Sequence, residues 1–255
     1  MSRALLFDLD GTLLPLDQDV FTDTFLSLAV RSFAGREEWG GKAFPRLLMR
    51  AVEAVVRNDG SVTNEERFWQ AMEAMLPGQS GAVRDAFLTF YAEVFPEARR
   101  VTFPDPAISA LLGVWRDAGI PLLCATSPIF PPFVQEMRLR WAGFDRPEDW
   151  FLTVTSSENC TYAKPNPLYY TELCAQNGLR PEDCLMVGND ADEDGAALQA
   201  GMRFFFLSDH PLNRKGIDLT GVPQGSWNEL RACVRDWLQE SETEPCSRLK
   251  KGNHP

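Results

Sequence analysis

The chain reads as an α/β protein with a parallel sheet covered by helices on both faces, interrupted early by an all-helical insert. Three observations predict this. The N-terminus opens with the short apolar run Ala4-Leu5-Leu6-Phe7, which stops at Asp8-Leu9-Asp10-Gly11-Thr12, as a buried parallel strand does. Residues 17–100 then carry helical periodicity with no convincing strand. After Pro104, apolar strand-like runs alternate with helical stretches to about residue 239.

In order, the insert begins with a helix on which Phe21, Phe25, Leu28 and Ala29 share one face. Phe44, Leu47, Leu48, Ala51, Val52 and Val55 form a second stripe at spacings of three and four. Thr63 with Glu66 makes a capping box for a helix over 68–76, and a further helix spans 83–95. Beyond it, helices are expected over 108–118, 133–141, 167–177, 192–200 and 227–239. Strands are expected over 120–125, 151–155, 184–187 and 202–207. Residues 241–255 are polar with a basic Arg248-Lys250-Lys251 group and read as a frayed tail.

Composition narrows the chemistry. The chain has 255 residues, a formal charge of −11 and no basic block, a poor basis for binding nucleic acid or an anionic membrane surface. Two histidines, His210 and His254, cannot build a three-histidine metal site. Six cysteines show no CxxC pair, and the N-terminus shows no signal peptide, so they are expected to be reduced thiols of a cytoplasmic protein. No apolar run approaches the ~20 residues that span a bilayer. The chemistry is left to carboxylates, hydroxyls, lysine or a metal.

In a sheet of this kind ligands bind at the carboxyl ends of the strands. Those ends hold Asp8 and Asp10, then Thr126 and Ser127, then a loop leading to Lys164, then Asn189, Asp190 and Asp194. Four segments thus converge on one rim. Carboxylates brought together repel unless a cation lies between them or one is protonated. A hard divalent ion such as Mg²⁺, held by one or two carboxylates and a substrate phosphate, answers that. The set suits phosphoryl transfer: one Asp attacks phosphorus, the ion and Lys164 neutralise the oxygens, and the second Asp protonates the leaving oxygen. Backbone amides after Thr126, where a helix is expected to begin, add donors for the phosphate.

Asp8-Leu9-Asp10-Gly11-Thr12-Leu13 resembles the first motif of the haloacid dehalogenase superfamily. Thr126, Lys164-Pro165 and Val187-Gly188-Asn189-Asp190 to Asp194 resemble the other three, in order. The resemblance implies a Rossmann-like three-layer core of residues 1–14 and 102–240, with a helical cap domain over 15–101. It further implies a Mg²⁺-dependent phosphatase acting on a small phosphorylated metabolite. Asp8 would be the nucleophile that forms an aspartyl-phosphate, and Asp10 the general acid and base. Thr126, with Ser127 beside it, would bind phosphate, and Lys164 would hold both nucleophile and phosphate. The metal would lie among Asp8, Asp10, Asp190 and Asp194. Dehalogenases of the family lack the second Asp, so Asp10 argues against dehalogenation. Asn189 stands where the family often has Asp; Asp190 is favoured as the ligand because a carboxylate binds Mg²⁺ better than an amide, with Asn189, through its carbonyl oxygen, as the alternative. A phosphotransferase or mutase on the same site, or a degenerate binding protein, are the alternatives.

Arg46, Arg50 and Arg57 read as a solvated helix face, although they could reach an anionic substrate group. The aromatics Phe21, Phe25, Phe68, Trp69, Phe87, Phe90 and Tyr91 read as the insert's core, and Asp192 and Glu193 as solvated.

Overall fold

Six parallel strands form the sheet, in the order β3-β2-β1-β4-β5-β6. The computed structural model describes residues 3–240, so the expected tail lies outside the described residues. The strands are β1 (Ala4–Phe7), β2 (Leu122–Cys124), β3 (Thr153–Val154), β4 (Cys184–Gly188), β5 (Arg203–Leu207) and β6 (Gln224–Gly225). β6 is a two-residue edge strand that carries no apolar run. Phe7 stands level with Cys124 on one side and Val187 on the other. The chain builds outward from β1 to β3, then returns across β1 to start β4, so a topological switch point lies between the carboxyl ends of β1 and β4.

The period-two alternation of strand side chains supplies both faces of the sheet. Leu5, Phe7, Cys124, Leu185, Val187 and Phe205 pack on one side with α5 (Pro106–Asp117), α6 (Pro132–Trp141) and α8 (Trp227–Glu240). Ala4, Leu6, Leu123, Met186, Phe204 and Phe206 pack on the other with Tyr169, Tyr170 and Leu173 of α7 (Pro167–Gln176). Every residue of β1 and β4 is buried, which explains why these runs read as continuously apolar.

Between β1 and α5 lie α1 (Gln18–Phe33), α2 (Phe44–Val56), α3 (Asn64–Met75) and α4 (Ser80–Thr89). Asp17 caps α1 by accepting from the amides of Asp19 and Val20, and the Thr63–Glu66 capping box forms as expected. The expected helix over 83–95 begins earlier, at Ser80, and widens at its end into a π turn over Phe90–Val94 followed by a 3-10 segment, Phe95–Val101. Pro96 accounts for the change, since it lacks the amide an α-helix needs and its ring crowds the preceding turn. The insert leaves and rejoins the rest of the chain at one point. Leu16 and Thr102 form an antiparallel bridge, and Phe103 N–H donates to the Pro15 carbonyl at 2.8 Å.

Candidate active site

The site forms where strands end. β1 stops at Phe7, and the Asp8 amide still donates to Val187 at 2.9 Å, holding Asp8 in line with the sheet while its side chain turns upward. Gly11 follows with φ +74°, and a Cβ there would strike the Asn189 side chain, so glycine is required for the first and fourth strand-end loops to meet. A Cβ on Gly188 would in turn collide with the Asp194 carboxylate, which lies across it.

Lys164 sits at the centre, fully buried. Its ammonium donates to Asp8 Oδ1 at 2.8 Å and to Asp194 Oδ1 at 2.6 Å. Asp194 Oδ2 also accepts from the Asp190 amide at 3.0 Å. The loop that delivers Lys164 is tied down by Glu172 of α7, whose carboxylate accepts from the Thr161 amide at 3.0 Å and its hydroxyl at 2.8 Å. Asn166 caps α7 two residues beyond the lysine.

Two buried carboxylates therefore share one cation, and the electrostatics show the shortfall. Burial pushes the Asp8 carboxyl up to about 7 despite Lys164, with Asp194 and Asp10 adding repulsion. Asp194 is raised in the same way, by burial against the pull of Lys164. Burial works against the Lys164 charge, yet Asp194 and Asp8 together hold it well above the usual lysine range. The lysine is thus firmly charged, and ionising both carboxylates beside it would leave one negative charge uncompensated.

Asp10 turns the other way, toward an ion pair with Arg138, a residue the sequence reading missed. Arg138 is 1% exposed, in the last turn of α6, with Gln135 Oε1 accepting from it at 2.7 Å and the rings of Phe130 and Phe21 at 5.0 and 5.6 Å. Asp10 Oδ1 is buried with no hydrogen-bond partner. A signal was available: Arg138 lies four residues from Val134 and three from Trp141, a charge on the apolar face of its helix.

Thr126 is buried beside the carboxylates, its carbonyl accepting from the Thr155 hydroxyl at 2.7 Å and the Tyr169 hydroxyl at 3.0 Å. No helix begins directly after it. α6 starts only at Pro132, because Pro128 and Pro131 keep the intervening segment extended and turned, so the amide donors belong to an irregular loop rather than a helix N-terminus. The expected helix over 192–200 is likewise reduced to a 3-10 turn, Gly195–Leu198. Asp190 Oδ1 accepts from the amides of Asp192 and Glu193 at 2.8 and 3.0 Å, and the turn bends to bring Asp194 down to Lys164.

Asn189 is engaged at both ends, donating to the His210 carbonyl at 2.6 Å and accepting from the Thr12 hydroxyl at 3.2 Å, and both it and Asp190 line the cavity. Glu193 is not a solvated residue: it is half-buried in the cavity wall, where burial pushes its carboxyl up to about 8. Arg46, Arg50 and Arg57 are exposed and absent from the wall, which instead carries Arg84 and Arg214. Asp8, Asp10, Thr126, Ser127, Asp190 and Asp194 line one cavity of about 480 Å³ between the sheet edge and the insert, with Lys164 beneath it.

Among the described residues no three His, Cys, Asp or Glu side chains stand close enough to hold a metal as they are. The donor set is nevertheless all oxygen, and with both carboxylates ionised the Asp8–Asp194–Lys164 cluster carries one negative charge too many for a buried site. Charge and donor type thus fit a hard divalent cation.

A family model of haloacid dehalogenase-like hydrolases matches residues 2–201. The chain belongs to that family. Phosphoglycolate phosphatase 1 of Pseudomonas aeruginosa is 25% identical over 211 residues, covering 80% of this chain and 68% of that protein. The phosphoglycolate phosphatase of Nitrosococcus oceani is 26% identical over 212 residues, covering 80% and 83%. Among solved structures, a HAD phosphatase from Thermococcus onnurineus superposes with a TM-score of 0.55 at 21% identity, over 91% of this chain and 97% of that one. The 2-haloacid dehalogenase from Pseudomonas syringae also gives 0.55, at 20% identity, over 93% and 100%. A phosphatase and a dehalogenase match the fold equally, so the fold alone does not choose the chemistry. The family makes this chain a hydrolase of the haloacid dehalogenase-like type, and the two relatives similar to it in sequence are phosphatases.

Proposed function

We propose that this haloacid dehalogenase-like hydrolase cleaves phosphomonoesters through an aspartyl-phosphate on Asp8, with residues 15–101 serving as a cap over a core of residues 1–14 and 102–240. The observation that carries the reading is the buried Asp8–Lys164–Asp194 cluster at the switch point, on the floor of the cavity.

Asp8 Oδ2 is the oxygen left to attack, because Oδ1 is held by Lys164. As the Asp8–phosphorus bond forms, the bond to the ester oxygen breaks and Asp10 delivers a proton to that oxygen. In the second step Asp10 takes a proton from water, the water oxygen joins phosphorus, and inorganic phosphate leaves with Asp8 restored. Arg138 anchors one oxygen of Asp10, leaving the unpartnered Oδ1 for proton transfer. Thr126, Ser127 and the loop amides after them hold the phosphoryl oxygens, and Lys164 offsets charge developing beside Asp8. Mg²⁺ is the cofactor in this reading, held by Asp8, Asp190 and Asp194, and supplies the positive charge the cluster lacks. Asp10 was expected both among its ligands and as the general acid and base; its pairing with Arg138 supports the acid–base role. The bridge between Leu16 and Thr102 gives the cap a single narrow root, suited to closing over the substrate.

Phosphate release from aryl phosphate with Mg²⁺ tests the reading. Asp8→Asn is expected to lower kcat by at least about 10⁴-fold, and equal activity of the variant would overturn the assignment.

A further inference from the structure

The cavity above the phosphate position is walled largely by apolar side chains, and acids outnumber arginines among the charged groups that line it. Phe25, Val52, Trp69, Phe87 and Tyr91 wall it from the insert, and Ile129 and Phe130 from the loop after β2. Met49, Leu88 and Phe133 line it while remaining 46%, 51% and 37% exposed, so three large apolar side chains of the lining are open to solvent. A contiguous exposed apolar lining of this kind marks a binding surface. The aromatics are part of the insert's core, as expected, and also its inner wall: Phe87 packs in tilted and edge-on contacts with Phe33, Phe44 and Phe90 while lining the cavity.

Three arginines line the cavity, and each already faces a carboxylate. Arg138 pairs with Asp10, Arg214 with Asp19 at 2.6 Å, and Arg84 stands 3.7 Å from Glu65 while lying over the Trp69 ring at 4.7 Å. Glu158 and Glu193 add further acids to the wall. A substrate carrying a carboxylate beside its phosphate would thus bring a third negative charge to a wall with no uncommitted arginine. An aliphatic or aromatic group would instead bury apolar surface on both sides.

Resting on the phosphatase reading above, we infer that the substrates are phosphomonoesters of a bulky apolar alcohol, and that phosphoglycolate, the compound named for its sequence relatives, is a poor one.

The test is a series of ethyl, butyl, hexyl and octyl phosphates beside phosphoglycolate, with the matching alkyl phosphonates titrated by calorimetry. kcat/KM is expected to climb by roughly two- to fourfold per added methylene until the cavity is filled, with phosphoglycolate at least about tenfold below butyl phosphate. Leu88→Lys, an exposed position that adds a free cation to the wall, flattens the series and raises phosphoglycolate relative to octyl phosphate. Hydrolysis with a flat series, or with phosphoglycolate preferred, overturns the inference and leaves the phosphatase reading standing. No phosphate release from any ester overturns the phosphatase reading. Octyl phosphonate binding no tighter than ethyl phosphonate then removes the apolar selectivity as well, and tighter binding upholds it.

Discussion

The floor and the wall of the cavity are made by opposite means. The floor comes from the sheet and consists of charges removed from water: Lys164, Asp8, Asp194 and Arg138 are all buried, and each is held by another charge. The wall comes largely from the helical insert and consists of aromatic and aliphatic side chains, with its charges at the rim. Buried charges cost free energy unless they are paired, so the floor is rigid in composition, and each member depends on its partners. An apolar wall gains its energy from area without fixed geometry, so it tolerates substitution of similar volume. The proposed function accordingly puts reaction chemistry on the floor and selectivity on the wall.

The strongest way to break the floor is Lys164→Met, which strands two carboxylates. Stability is expected to fall by about 3–5 kcal/mol in urea denaturation at pH 8. The Asp8 carboxyl is already raised to about 7, so lowering the pH lets the folded state take up a proton and the deficit shrinks. A loss that is the same at pH 5 and pH 8 would show that stranded charge is not the cause.

Next comes metal. Mg²⁺ at about a hundredfold over its dissociation constant should add about 2.7 kcal/mol, a rise of roughly 5–10 °C in Tm. The rise should vanish in Asp190→Ala if Asp190 is a ligand, and persist in Asn189→Ser.

Arg138→Met tests whether a buried arginine positions Asp10. kcat is expected to fall by about 10- to 100-fold with KM nearly unchanged, and Arg138→Lys to recover only part, since lysine lacks the planar fork. A change confined to KM would move Arg138 from the chemistry to the wall.

At the small end, Arg46→Ala and Arg50→Ala should leave stability within about 0.5 kcal/mol and turnover unchanged, because both side chains stand in solvent away from the cavity. A rise in KM would extend the wall to these two side chains.

Much of the floor was legible in the chain because its signals are local. An apolar run ending in Asp-Leu-Asp-Gly marks a strand and what stands at its end, and the switch-point rule then gathers such ends without knowledge of the sheet order. Helices α2 and α3 were legible for the same reason: their stripes and the Thr63 capping box lie within a few residues. The two-residue β6 was not, since Gln224 and Gly225 carry no periodicity. Nor was the shortened helix after Asp190, where pairing with Lys164 overrides local propensity.

Taken alone, then, the sequence determined the fold class and the residues at each strand end, because periodicities of two and 3.6 are written in adjacent positions. Only the tertiary structure decided which of them touch. Lys164 and Asp8 meet across 156 positions, Asp10 turns to Arg138 rather than to its neighbour Asp8, and aromatics that read as core also present a face to the cavity. Such pairings depend on which buried charges can find partners at the least desolvation cost. That is settled by packing of the whole chain, and no window of sequence contains it.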